Sequence, residues 1–203
     1  MSRKIDKIKD LIRWELRKSN RMYEWNLHLM IVKKYADRLL EKNPQADKEV
    51  VELAVWLHDI GRIRYGDVNH HISGSQDAEQ ILSDHNYPKE VIDKVKECIL
   101  AHRGEAKDNP PESIEGKILV SADAMSVLEV IPVFFWEACH EHGLGVKEAC
   151  DWVAEEIESS WNRKILLPEG KEMVKDKYEA FKLIVETTRM SLNGEKNVRL
   201  QIG

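Results

Sequence analysis

The chain has 203 residues, of which 42% are hydrophobic and 33% charged, the balance of a folded globular protein rather than a disordered one. That length suits one helical domain with its own core. A formal net charge of -5 argues against a grip on duplex nucleic acid, and the lack of any run of about 18 apolar residues argues against a membrane span.

The N-terminal stretch MSRKIDKIKDLIRWELRK is charged throughout and has no apolar signal core. Its Ile5, Ile8, Ile12 and Leu16 recur at helical spacing. A second stripe follows, Trp25, His28, Val32, Tyr35 and Leu39, and Asn43-Pro44 stops it. Asp47 is placed to cap the next helix, which carries Val50, Val51, Ala54, Leu57 and His58 and is expected to end near Gly61. Arg62 to Asn69 reads as a polar loop, and His70 to His85 as a helix broken by Asn86-Tyr87-Pro88.

Val91, Val95, Cys98, Ile99 and His102 mark another helix, followed by a loop from Gly104 to Pro111. Ile114, Ile118, Leu119, Ala122 and Met125 predict a helix reaching Ile131. Two or three more helices fill the remainder, with breaks near Pro132, Gly143-Leu144-Gly145 and Leu167-Pro168 and a frayed tail from Asn193. No convincing alternating strand occurs, so the fold class is all-α.

Several conspicuous residues have unremarkable readings. Cys98, Cys139 and Cys150 are odd in number and lack CxxC spacing, which predicts reduced core residues in a cytoplasmic protein. Trp14, Trp25 and Trp56 lie on stretches expected to be buried, although a base-stacking platform is the alternative. The run Ile131 to Trp136 fits a core helix, a pocket wall or a dimer surface, and core is preferred. Glu155, Glu156 and Glu158 read as a solvated face. His85, His140 and His142 read as surface or structural.

The sharpest chemical signal is His58-Asp59, in LAVWLHDIGR. The preceding apolar residues imply a buried helix. A carboxylate at its end costs several kcal/mol unless a cation compensates, either a divalent metal or an arginine. His28 sits on an apolar stripe, Asp123 lies mid-helix in KILVSADAMSVLEV, and His102 closes its own stripe. Separate helices thus offer imidazole or carboxylate to one interior, the way bundles build metal sites.

The ordered set His28, His58-Asp59 and Asp123, with LHDIGR and KILVSADAM around it, resembles the HD superfamily of metal-dependent phosphohydrolases over roughly residues 20–135. The resemblance implies an HD-domain-like helical bundle. Residues 1–19 would be an N-terminal helix packed on the domain, 20–135 the HD core and 136–203 a C-terminal helical extension. It also implies that His28, His58, Asp59 and Asp123 hold one divalent ion. A second ion would use His70, His102 and Asp59, with His71 as substitute for His70; the alternative is that these histidines touch substrate phosphate or cap helices. Arg103 and Gly104 stand where the dicyclic-nucleotide branch has a second histidine and a Gly-Tyr-Pro motif, which argues against that branch. Arg62 replaces that branch's lysine and keeps a charge suited to phosphate, as does Arg103.

Such a ligand set suits Mn, Fe, Co, Ni or Zn, and Mg less well, at one or two ions per chain. The ion would lower the pKa of bound water toward about 7 and supply hydroxide to attack phosphorus. The expected partner is a small phosphorylated substrate, a nucleotide by resemblance; a monomer and a homo-oligomer both fit. Two competing readings are a non-catalytic signalling or scaffold module and a helical protein with a purely structural metal. The first predicts gaps among the ligands and the second a closed coordination sphere.

Overall fold

The computed structural model describes residues 2–102 and 110–192, all helix and connecting turns. The first helix, α1 (Ser2–Lys18), buries Ile8, Ile12 and Leu16 against α3 (Lys48–Leu57) and α4 (Ile60–Tyr65). Between α1 and α3, a wide π-type turn, Trp25–Leu29, runs directly into α2 (Met30–Lys42). Asp47 caps α3 by accepting from the backbone N–H groups of Glu49 and Val50. The chain continues through α5 (His70–Asp84), α6 (Lys89–Ala101) and α7 (Ile114–Val127). Then come α8 (Ile131–His140), α9 (Val146–Ser159), a second π-type turn Ser160–Lys164, and α10 (Pro168–Leu192).

The architecture is an all-α bundle with further C-terminal helices. α3 sits at its centre, with Val50, Val51 and Leu53 to Leu57 all buried, and packs on α2, α6 and α7. α8 and α9 pair at one side, and α10 lies across α9, α7 and α2. No described helix is by itself long and apolar enough to cross a membrane.

The structure corrects the sequence reading at several points. α3 stops at Leu57, and residues 62–65, expected to be loop, belong to a separate helix, α4, that begins at Ile60. Gly61 is therefore not a helix-ending glycine. It lies where α4 crosses α5, and a Cβ there would sit 2.2 Å from the His70 carbonyl oxygen and 2.6 Å from the Gly74 nitrogen. The loop is shorter, from Gly66 (φ 87°) to Asn69 (φ 53°). α7 ends at Val127, short of Ile131, and Pro132 is accommodated in the first turn of α8, where its missing N–H has no helical partner to lose.

Burial corrects others. Trp14 is 53% exposed, while Trp25 and Trp56 are buried and stacked on each other. Cys139 is exposed, unlike Cys98 and Cys150. The Ile131–Trp136 run is not core: its residues are half-buried or exposed and include walls of a cleft. Glu156 lines that cleft and Glu158 accepts from the Tyr178 hydroxyl, so neither is merely solvated. Most of the predicted loop from Gly104 to Pro111, the tail from Asn193 and Arg103 lie outside the described residues.

Candidate metal centre

Six side chains from separate elements meet at one end of the bundle. His28 comes from the first π-type turn and Asp123 from the middle of α7. His58 follows the last residue of α3 and Asp59 precedes the first of α4, so the break between these helices turns adjacent residues toward one point. His70 opens α5 and His102 follows α6.

Two groups result. His28 Nε2 lies 3.1 Å from His58 Nε2, 3.2 Å from Asp59 Oδ2 and 3.5 Å from Asp123 Oδ1. His58 Nε2 is 3.6 Å from Asp59 Oδ2 and 3.9 Å from Asp123 Oδ1. On the other side of the carboxylate, Asp59 Oδ1 is 3.7 Å from His70 Nε2 and 3.8 Å from His102 Nε2, which are 3.0 Å apart. The two oxygens of Asp59 thus face different groups. Within each of the sets His28–His58–Asp59 and Asp59–His70–His102, the potential ligand atoms lie within 4.8 Å of one another.

The far side of each ring explains its orientation. Nδ1 of His58, His70 and His102 bonds to the backbone carbonyls of Val55, Asp67 and Ile99. A carbonyl only accepts, so Nδ1 carries the proton, and the neutral ring presents a lone pair at Nε2. Ser126 donates to the Asp123 carbonyl, which leaves its Oγ to accept from His28 Nδ1 at 3.3 Å. Four lone pairs and two carboxylates therefore converge with few protons between them. That donor chemistry fits a divalent cation.

Charge reinforces the geometry. Burial disfavours an ionised Asp59, but Arg62, His58 and His28 outweigh it and hold its carboxyl well below the usual range. Burial, and then His58, push the His102 ring down to about 4, so it is neutral at physiological pH. Burial lowers His28 too, yet Asp59 and Asp123 prevail and raise it; a proton and a metal ion compete for its Nε2. Burial opposes the Arg62 charge, and Asp59 and Glu24 more than restore it. Arg62 Nη2 is 3.1 Å from Asp59 Oδ2 and 3.5 Å from Glu24 Oε2, while its buried Nε has no hydrogen-bond partner.

The centre forms the floor of a cleft of about 300 Å³ that also includes Arg62. His71 belongs to neither group; its ring stands edge-on to His70 at 6.2 Å. Ser126 and Glu24 escaped the sequence reading. Ser126 stands one turn after Asp123, the spacing that permits its bond to the Asp123 carbonyl, but a serine there is common in any helix. Glu24 bonds Arg21 and shares Arg62, and nothing in its local sequence marks it.

A helical bundle whose histidines and aspartates converge on one cleft defines a class of metal-binding α-helical domains. The HD domain family matches residues 27–128, half of the chain, and the chain belongs to that family. The solved structure of a predicted HD superfamily hydrolase from an uncultured Thermotogales bacterium superposes with a TM-score of 0.60. It covers 93% of this chain and 91% of the other at 21% identity, a likeness of fold. An uncharacterized protein of Clostridium beijerinckii is 32% identical over 85 residues, 40% of this chain. The match spans 54%, about half, of that relative's length.

Proposed function

We propose that the chain is a metal-dependent phosphohydrolase that cleaves a phosphoester or phosphoanhydride of a nucleotide by attack of water. The observation that carries this reading is the convergence of four imidazole Nε2 atoms on the two oxygens of Asp59, with Asp123 alongside. His28, His58, Asp59 and Asp123 would hold one divalent ion, and His70, His102 and Asp59 a second.

When bound, such ions supply Lewis acidity and hydroxide near neutral pH. The chain supplies the rest. Backbone carbonyls and Ser126 hold the rings in the tautomer that leaves Nε2 unprotonated. Arg62 keeps its charge beside the centre and lines the cleft, where positive charge offsets what builds on the phosphoryl oxygens in the transition state. The described residues offer no activated covalent nucleophile: burial pushes the Cys98 thiol well above its ordinary value.

The test is elemental analysis of protein purified without chelator, combined with a nucleotide panel assayed for released phosphate or pyrophosphate in Mn, Co or Ni. Bound transition metal and metal-dependent release are expected. Metal without turnover of any phosphate ester would leave a structural ion. Absence of metal under all loading conditions would sink the reading.

A further inference from the structure

The cleft is larger than a phosphate requires, so most of it faces the remainder of the ligand. One stretch of its lining comes from α8 and the residues that flank it. Val133, Phe134, Glu137 and Glu141 line the cleft at the spacing that puts residues on one helical face, with Val130 just before the helix and Trp136 beside that face. The first part of that face is apolar and is extended by Leu27 and Val127; the second part is acidic.

Charge in the cleft is lopsided. Among the described residues seven carboxylates and three cations line it. Glu24 is met by Arg21 and Arg62, and Asp59 and Asp123 face the rings. Asp67, Glu137, Glu141 and Glu156 make up the other four, with Lys164 the third cation in the lining. Burial raises the half-buried Glu137 carboxyl, Arg62 draws it back, and Glu141 raises it again. A second anionic group on the ligand would meet these acids, whereas an amine or other donor would be attracted.

Resting on the phosphohydrolase reading above, we propose that the α8 face sorts substrates by the charge of their organic part. The site takes a phosphate monoester whose body is apolar or aromatic and neutral to cationic, in preference to one carrying further anionic groups. Glu137 and Glu141 are the specificity-determining residues, and Val133 and Phe134 supply the surface on which the body lies.

Three aryl phosphates that differ only in the para substituent test this: phenyl phosphate bearing a para aminomethyl, hydroxymethyl or carboxymethyl group. In the metal-loaded wild type the amine is expected to exceed the carboxylate in kcat/KM by about tenfold, the product of roughly threefold attraction of the amine and roughly threefold repulsion of the carboxylate. Glu137→Gln and Glu141→Gln should each cut that ratio by roughly threefold. Equal use of the three esters, preference for the carboxylate, or an unaltered ratio in both variants overturns the proposal. Calorimetric titration with the corresponding phosphonates, which cannot be hydrolysed, separates this from failure of the enzymatic reading. The same order of affinity without turnover of any ester keeps the charge selection and removes the hydrolase. Turnover without the order does the reverse, and no binding of any phosphonate removes both.

Discussion

Every ring in the cluster is held by a bond made on its far side, so each histidine is a fixed donor atom rather than a swinging one. Asp59 depends most on its surroundings: 6% exposed, it stays ionised only because Arg62 and two imidazoles flank it. We expect His58→Ala and Asp59→Ala each to lose bound metal by elemental analysis while the far-UV helical signal survives; undiminished metal in either variant would contradict the assignment. Arg62→Ala should retain metal and lower kcat/KM by roughly a hundredfold, the scale for one donor to a developing oxyanion. Metal loss in that variant would recast Arg62 as support for Asp59. The pattern His28, His58-Asp59, Asp123 was legible in the sequence because inward histidines and carboxylates stand out on apolar helices. Ser126 and Glu24 were not, since their roles exist only once α7 and the first π-type turn are apposed.

At the scale of elements, the crossing of α4 and α5 sets the distance between the two halves of the centre. Asp59 precedes one helix and His70 begins the other, and Gly61 lets their backbones touch. Gly61→Ala should cost about 3 kcal/mol or more, because the clash is with backbone that cannot rotate away. Thermal unfolding should fall by roughly 6–12 °C. Gly74→Ala, whose nearest neighbours would lie 3.3 and 3.4 Å away, should cost much less. A second junction ties α2, the α7–α8 turn and α10 together: Glu129 accepts from Lys34, from the Tyr35 hydroxyl at 2.5 Å and from Lys177 at 2.6 Å.

Burial would raise the Glu129 carboxyl, but Lys177, Lys34 and Tyr35 bring it down to about 2 from an ordinary 4.5. A lowered folded-state value means stabilisation that is complete above pH 4.5 and lost as pH falls toward 2. Glu129→Gln should therefore lower stability by about 1 kcal/mol at neutral pH, modest because solvent reaches the cluster. In denaturant titrations the gap from wild type should close between pH 4.5 and 2; a pH-independent gap would assign the effect to packing. The helix α4 itself was missed because Arg62 to Asn69 is polar and carries a glycine. What makes residues 60–65 helical is packing of Ile60, Gly61 and Ile63 against α1 and α5, a tertiary effect that overrides local propensity.

For the whole molecule, the six residues of the centre span positions 28 to 123, and their elements are held together by the core rather than by one another. An ion held by His28, His58, Asp59 and Asp123 would bridge four elements, the first π-type turn, α3, α4 and α7, and couple its affinity to global stability. Loading to about a hundred times the dissociation constant should add about 2.7 kcal/mol, seen as an increase of roughly 5–10 °C in Tm that a chelator reverses. No change on chelation of a metal-loaded sample would show that the ion does not cross-link the bundle. The chain's own order of residues determined that the fold is all helical, where most helices lie, and which imidazoles and carboxylates face inward. Those properties follow from periodicity, caps and the cost of burying charge, which are local. Only the tertiary structure decided that Asp59 divides its oxygens between two groups, that α8 is a cleft wall rather than core, and that Arg62 stands over the centre. Each of those depends on how separate helices cross, which is set by packing between residues far apart in the chain.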